Sequence, residues 1–453
     1  MKDQCASTKR GLMKKLTRRE SLKLGATALA GAAVGMNLGH SARAQEPTLD
    51  LKPEQGATLR VLRPAKFVAG DEKLWLENTD KYTKATGVQV KVESQGWEDL
   101  RPKAAVAANV GKGPDVVYGW YDDAHQYPEK LVDLTDLGDY LDKKYGGWYD
   151  VCRKFGMRDG KWIAIPLGAA GARIVYRISA LKEAGFEEWP KDLDGMLKVS
   201  QALASKGKPG GLALGNAVGD GNTWCHWLVW AHGGKMVDEA DQVVINSPET
   251  VAALKYAREL YQSFVPGTLS WLDPSNNKVF LDGQISWTIN GISVYYAAKN
   301  SQDEKIKALV DDIGHAILPV GPVGHPTELH LTVPAMVFAY TKYPNAAKDY
   351  IRFMLEREQY VPWQEASLGY FSQPLREYEK SPIWTVDPKH TPYRDLMANM
   401  LWPGYAGSLG YASAGVMADF VMVNMVAQAA SGDKTPEEAA AEAQKRAERY
   451  YKV

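Results

Sequence analysis

The sequence predicts an α/β protein in two lobes. Three observations carry that expectation. Between residues 58 and 120, runs of period-two apolar residues alternate with stretches of helical period, the pattern of parallel strands joined by right-handed helical crossovers. The alternation resumes after Pro166. The length of 453 residues exceeds what a single core normally serves.

Taken in order, residues 58–63 (TLRVLR) alternate as a strand, and residues 72–85 follow as a helix with Leu74, Asn78, Tyr82 and Ala85 along one side, stopping at Thr86-Gly87. Val88, Val90 and Val92 mark a second strand, a helix is expected over 97–109, and the run DVVYGW, opened by Gly113-Pro114, is a third strand. Ligands meet such sheets at the loops after the strands, here RPAKFVAGDE, ESQGW and GWYDD. In the second series, residues 172–177 read as a strand, Ser179 as the cap of a short helix stopped by Gly185, 192–205 as a helix and GLALG as a short strand. Ser247-Pro248 opens a periodic helix to Phe264. In FLDGQISWTINGISVYYAAKN (280–300), Ile285, Trp287 and Ile289 share one strand face, which puts Trp287 in sheet packing. The Asn290-Gly291 turn then delivers the chain to a helix start, with Ser293 and Tyr295 as ligand-contact candidates. The last helix begins at Thr435-Pro436, where Glu438 completes a capping box.

Residues 1–44 differ from everything after them. A basic stretch, KKLTRRESLK, precedes the small and apolar LGATALAGAAVGMNLGHSARA, which reads as an export signal. Thr17, Arg18, Arg19, Leu22 and Lys23 fit the twin-arginine pattern, and Ala42-Arg43-Ala44 fits an A-x-A cleavage site, so a periplasmic chain starting at Gln45 is expected. The apolar run is too short and Gly-rich for a membrane anchor. These residues carry nine of the 54 basic and two of the 54 acidic residues, so the chain from Gln45 has a formal charge of −7. A mildly acidic protein is a poor partner for nucleic acid or an anionic membrane, both of which need a basic field. Cys152 and Cys225 sit in apolar contexts and are expected as buried thiols rather than a bridge.

Catalytic patterns are missing. His226, His232, His315, His325 and His330 form neither H-E-x-x-H nor a Cys/His framework. The Gly-rich pieces contain no G-x-x-x-x-G-K-[ST], no G-x-G-x-x-G opening a helix after a strand and no G-x-S-x-G. No metal or other cofactor is expected. Asp122 and Asp123 are adjacent and point apart on an extended chain, so they are read as ligand-hydroxyl acceptors or a helix cap rather than an acid–base pair. What remains is aromatic and polar, with 14 Trp and 23 Tyr against 9 Phe: Trp97, Trp120-Tyr121-Asp122, NTWCHWLVW, Trp271, the segment 287–296, and Trp402 to Tyr405. An aromatic plane beside Asp or Asn matches a sugar, which offers a face of C–H groups and a rim of hydroxyls. Trp227 and Trp230, spaced i, i+3 in an apolar helix, fit core packing; Trp120, beside two acids, fits a cleft.

Four segments in this order and spacing, GKGPDVVYGWYDDAHQY, DGKWIAIPLGAAGARIVYRISALKEAGF, FLDGQISWTING and AASGDKTPEEAAAEAQKR, resemble the extracellular solute-binding proteins of ABC importers, in the carbohydrate-binding group of maltose-binding protein. The resemblance spans most of the chain after residue 44. It implies the two-lobe periplasmic binding protein fold (type II), each lobe a mainly parallel sheet flanked by helices, with a ligand cleft at the hinge. The implied N-lobe is 45–167 plus 334–378, the C-lobe 168–333 plus 379–453, and the crossings fall near 167–171, 326–333 and 377–383. The implied function is capture of a carbohydrate, sugar derivative or polyol by a non-enzymatic monomer that delivers it to ABC permease transmembrane subunits. Carried over residue by residue, the resemblance places ligand contacts at or near Asp71, Glu72, Trp120, Tyr121, Asp122, Asn222, Trp224, Ser293, Tyr295, Trp402 and Tyr405. Departures from the family pattern are Gly119 at a stacking Trp, Ala170 at a hinge acid, Ser293 at one of a Trp pair and Asp419 at a C-terminal Trp. They move the expectation from maltose to a smaller or more polar ligand. Arg173, near the hinge, is a candidate either for reading an anionic ligand or for a structural role. The rival classes are a secreted carbohydrate-active enzyme and a folded, cofactor-bearing oxidoreductase.

Overall fold

The alternating run at 58–64 forms β1 (Thr58–Pro64), whose inward residues Leu59 and Val61 are buried. In the computed structural model, which describes residues 47–452, β1 pairs in parallel with β2 (Gln89–Gln95) and with β3 (Val116–Tyr118). The export signal and its cleavage site lie outside the described residues. A helix, Ala69–Thr86, joins β1 to β2 and ends on Gly87, whose φ of 78° lets its N–H reach Thr83 O. Its buried stripe is Trp75, Asn78, Thr79 and Tyr82; Leu74 is only half-buried and Ala85 is exposed. The largest side chain decides the stripe: Trp75 packs edge-on against Tyr118 of β3, with ring centroids 4.8 Å apart.

Beyond β3 the chain makes a two-strand ribbon, β4 (Met157–Arg158) with β5 (Lys161–Trp162), and then β6 (Ile165–Ala170). It crosses at Gly171-Ala172 into β7 (Arg173–Arg177), which lies between β8 (Trp287–Asn290) and β9 (Ile313–Ala316) in a separate three-stranded sheet. The chain returns as β10 (Leu331–Val337) and later adds β11 (Phe371–Ser372), completing a six-stranded sheet of order β11-β6-β10-β3-β1-β2. β10 is antiparallel to β3 and β6, and β11 to β6. The larger sheet therefore has four strands in one direction and two against it. The smaller sheet departs from the expectation of parallel strands, since β7 is antiparallel to both neighbours. The reason is traffic at the crossing. β7 leaves it while β8 and β9 return to it, so that Arg173 faces Asn290 and Ile174 faces Ala316.

Two more local expectations change. GLALG is no strand; Gly210, just before it, makes single bridges to Phe264 and Trp287, and a Cβ there would overlap the Trp287 indole. Ser179 lies inside the helix Ile178–Glu183 rather than capping it, and Asp312, 133 positions away, accepts from its N–H (2.6 Å) and Oγ (2.7 Å). Where the cap is local, the rule holds. Asp192 accepts from Gly195 N, Ser247 from Thr250 N, and Thr435 and Glu438 form their reciprocal box. Trp287 is buried between Trp189 and Phe264, Trp227 and Trp230 are core residues, and Cys152 and Cys225 are unpaired and buried.

Arg173, Glu328 and His330 tie two crossing segments together. Arg173 Nη1 donates to Glu328 Oε2 (2.8 Å) and Nε to Pro392 O (2.7 Å), and His330 Nε2 lies 2.8 Å from the same Glu328 oxygen. Ala172 N donates to His330 Nδ1 (3.2 Å), which fixes His330 as the neutral tautomer that donates through Nε2. All three side chains are buried, and Arg173 is held structurally through Nε and Nη1.

Candidate ligand-binding cavity

The strand ends that meet at the crossing line a narrow pocket with about 20 Å³ of free volume, room for about one water molecule. The crossing contributes Ala170, Gly171 and Ala172, and Leu331 opens β10 beside them. Gly171 has no substitute here, because a Cβ would overlap Leu396.

One wall is aromatic: Phe67 after β1, Trp97 after β2 and Tyr370 just before β11. Phe67 lies 4.8 Å from Trp97 at 54° and 6.0 Å from Tyr370 at 7°, centroid to centroid. Trp97 is held on both sides. Its Nε1 donates to Ala65 O (3.0 Å), and Trp120 packs behind it at 4.8 Å while donating to Trp97 O (3.0 Å). A ring fixed before the ligand arrives loses little freedom on binding. Tyr370 is 5 % exposed, and its hydroxyl has no hydrogen-bond partner among the described residues.

The other wall is polar. Gly219, Asp220 and Thr223 come from the start of the helix Asp220–Ala231, Asp273 from a distant loop, and Asn290 and Gly291 from the turn after β8. The helix has no local side-chain cap, and Asp273 supplies one from 53 positions away, accepting from Asp220 N (2.7 Å) and Gly219 N (3.0 Å). Asp220 Oδ2 accepts from Asn276 Nδ2 (2.6 Å); Asn276 Oδ1 accepts from Asn290 Nδ2 (3.1 Å); Asn290 Oδ1 accepts from Gly291 N (2.6 Å) and Ser293 Oγ (3.2 Å). The wall is thus one connected network. Burial, and then repulsion from Asp273, pushes the Asp220 carboxyl well up; burial also raises Asp273, against the backbone N–H groups that favour its ionised form. Among the described residues neither carboxylate has a basic partner in its surroundings.

None of the side chains carried over from the family pattern lines this cavity. Asp71 is paired with Arg63 and accepts from Trp363 Nε1 (2.8 Å), and Glu72 is paired with Lys66. Trp120 is the layer behind Trp97. Tyr121, at φ 42°, donates to Val218 O (3.2 Å), and the fully buried Asp122 accepts from Ser413 Oγ (3.2 Å). Burial pushes the Asp122 carboxyl up to about 7 against the pull of Arg101. Asn222 turns back to Val218 O, and Trp224 donates to Ala213 O (2.6 Å) within the core. Ser293 bonds Asn290 and Asn277; Tyr295 bonds Asp387 (2.7 Å). Trp402 donates to Gly407 O (2.8 Å) and packs edge-on against Tyr405, which also meets Trp230. The lining residues stand beside these: Phe67 before Asp71, Asp220 and Thr223 around Asn222, and Asn290 before Ser293. Their loops, RPAKFVAGDE, ESQGW and the TING turn, were all marked by strand ends, and the residues carried over stand a few positions from the ones that line the cavity. Asp273 and Tyr370 carry no local pattern. The uncapped start of the helix at Asp220 is the one hint that a distant carboxylate is needed.

The family profile described as bacterial extracellular solute-binding protein matches residues 78–392. The chain belongs to that family. Other relatives of this solute-binding protein include a probable ABC transporter-binding protein of Deinococcus radiodurans, 25 % identical over 43 % of this chain and 47 % of that one. A putative ABC transporter periplasmic-binding protein of Escherichia coli, YcjN, is 24 % identical over 62 % and 64 %. The matched stretch spans about half to two-thirds of those relatives. Among solved structures, the maltose-bound T. maritima MalE3 is similar with a TM-score of 0.75 at 18 % identity, covering 87 % of this chain and all of that one. A ribitol complex of an ABC transporter solute-binding protein from Agrobacterium radiobacter is similar at 0.71 and 20 %, covering 88 % of this chain and 100 % of the other. The fold is that of the two-lobe periplasmic binding proteins. The family is one of exported binding proteins.

Proposed function

We propose that this solute-binding protein is the substrate-binding component of an ABC importer, and that it captures a small sugar, sugar derivative or polyol for delivery to a permease's transmembrane subunits. In this reading it is exported by the twin-arginine route, cleaved before Gln45 and monomeric in the periplasm. Its lobes are 45–167 plus 334–378 and 168–333 plus 379–453. The observation that carries the reading is the cavity at the crossing, with aromatic rings on one side and a carboxylate–amide network on the other. Rings take the C–H face of a sugar; Asp, Asn and Thr take its hydroxyls. The aromatic wall belongs to one lobe and the polar wall to the other, so a ligand touching both favours the closed form. The cavity lining holds two carboxylates and no base, which argues against an anionic ligand.

Catalysis is the weaker reading. Asp220 and Asp273 share one wall, with Asp273 bonded to the backbone of Asp220 itself, whereas glycosidase carboxylates flank the bond they cleave. A thermal-shift screen of sugars and polyols, followed by product analysis, tests the proposal. A true ligand at 100 times its Kd stabilises by about 2.7 kcal/mol and is recovered unchanged. Appearance of a product from it would overturn the binding-only role.

A further inference from the structure

The two walls together specify more than hydroxyl recognition. Asp220 and Asp273 bring two carboxyl groups to one small cavity, and the other charged group acting on Asp273 there is Glu98, also acidic. Every donor that reaches either carboxylate is neutral: backbone N–H for Asp273, the Asn276 amide for Asp220. Only one Asp220 oxygen is used, leaving Oδ1 without a partner among the described residues. Opposite stand three aromatic side chains, Phe67, Trp97 and Tyr370. Other aromatic residues of this chain have a Lys or Arg over them, as Trp75 has Arg63 and Trp402 has Lys154, and these three have none among the described residues. The Tyr370 hydroxyl, without a hydrogen-bond partner among the described residues, completes the set of free acceptors.

Carboxylate oxygens, a phenolic oxygen and aromatic rings with no cation over them around one small space are the complement of an ammonium group, which has three donors and is attracted to aromatic rings. Resting on the reading of this cavity as the ligand site, we infer that the ligand carries a protonated amine beside its hydroxyls: an amino sugar or an amino polyol, its ammonium seated between Asp220, Asp273 and the aromatic wall. With a neutral sugar the two carboxyl groups escape mutual repulsion only by retaining a proton. The ammonium supplies the missing countercharge. Because both carboxyl groups titrate high in the empty cavity, the incoming cation displaces a proton to solvent, and affinity rises with pH until the ligand's own amine deprotonates. Of the other titratable groups nearby, Glu98 adds a further acid, and Tyr121 and Tyr370 are held in the phenol form by burial and do not compete for that charge.

The test is titration calorimetry of the unmodified protein with matched pairs, glucosamine against glucose and 1-amino-1-deoxysorbitol against sorbitol, at pH 7.5 in two buffers of different ionisation enthalpy. The amine is expected to bind about tenfold more tightly than its hydroxyl partner in at least one pair, as a charge-assisted bond is roughly twice as strong as a neutral one. A net release of up to one proton accompanies it. Asp220→Asn, which can keep the bond from Asn276, should abolish the proton release and bring the pair to within about twofold, with the ligand-free melting temperature confirming that the variant is folded. A neutral sugar or polyol that binds as tightly as its amine overturns the inference and leaves the sugar-binding reading standing. If no amine, sugar or polyol binds, both fall.

Discussion

Trp97 and Trp120 are chemically identical and differ by one layer. Trp97 faces the cavity, and Trp120, with no exposed surface, supports it. Trp97→Ala is expected to weaken ligand binding by roughly 10- to 100-fold, about 1–3 kcal/mol of lost ring contact, with little change in melting temperature. Trp224→Phe should do the reverse, lowering stability through the lost bond to Ala213 O while leaving affinity intact; equilibrium titration and thermal melts of the two variants separate the cases. Asp122 makes a prediction of another kind. Its carboxyl titrates near 7 in the folded chain against about 3.9 unfolded, so the folded state holds the extra proton and stability falls as pH rises from about 4 to 7. Asp122→Asn removes that fall. It should be more stable than the parent at pH 8 by at most about 4 kcal/mol, and the difference should shrink toward pH 4 in urea titrations. The sequence shows that rings and acids gather after the strands. Which of two neighbouring rings meets the void is settled by packing between segments far apart in the chain.

Elements that carry their own caps are legible, and those capped from elsewhere are not. Ser247, Asp192 and Thr435 announce their helices, whereas the helix at Asp220 borrows Asp273 and the helix at 178 borrows Asp312. Asp273→Ala should cost about 0.5–2 kcal/mol by chemical denaturation and disorder the polar wall, so that binding is lost along with the cap. The strand directions of the smaller sheet were equally hidden. Alternation identifies β7 and β8 but says nothing of whether the chain is leaving or returning to the crossing when it forms them. At that crossing, Glu328→Ala leaves Arg173 buried without its partner. The expected cost is about 3–5 kcal/mol in a urea titration, larger than for any exposed ion pair of this chain.

At the scale of the molecule, length and alternation were enough for two α/β lobes, because both follow from how much apolar surface a chain this size must bury. The contacts that hold the lobes together were not, since each joins residues about a hundred or more positions apart. Gly70 N donates to Tyr296 Oη (2.8 Å), Tyr121 reaches Val218 and Asp122 meets Ser413. Tyr296→Phe deletes the first and should weaken ligand affinity by about fivefold, near 1 kcal/mol, through faster release in stopped-flow fluorescence, because it loosens the closed form alone. The two thiols have a practical consequence. Cys152 and Cys225 are both sealed in cores, and burial raises both against ionisation, so among the described residues a maleimide finds nothing to alkylate. Lys66→Cys, on an exposed residue next to Phe67, would thus be the one reactive thiol among the described residues, an attachment point for an environment-sensitive dye that turns the protein into an optical sensor for whatever it carries.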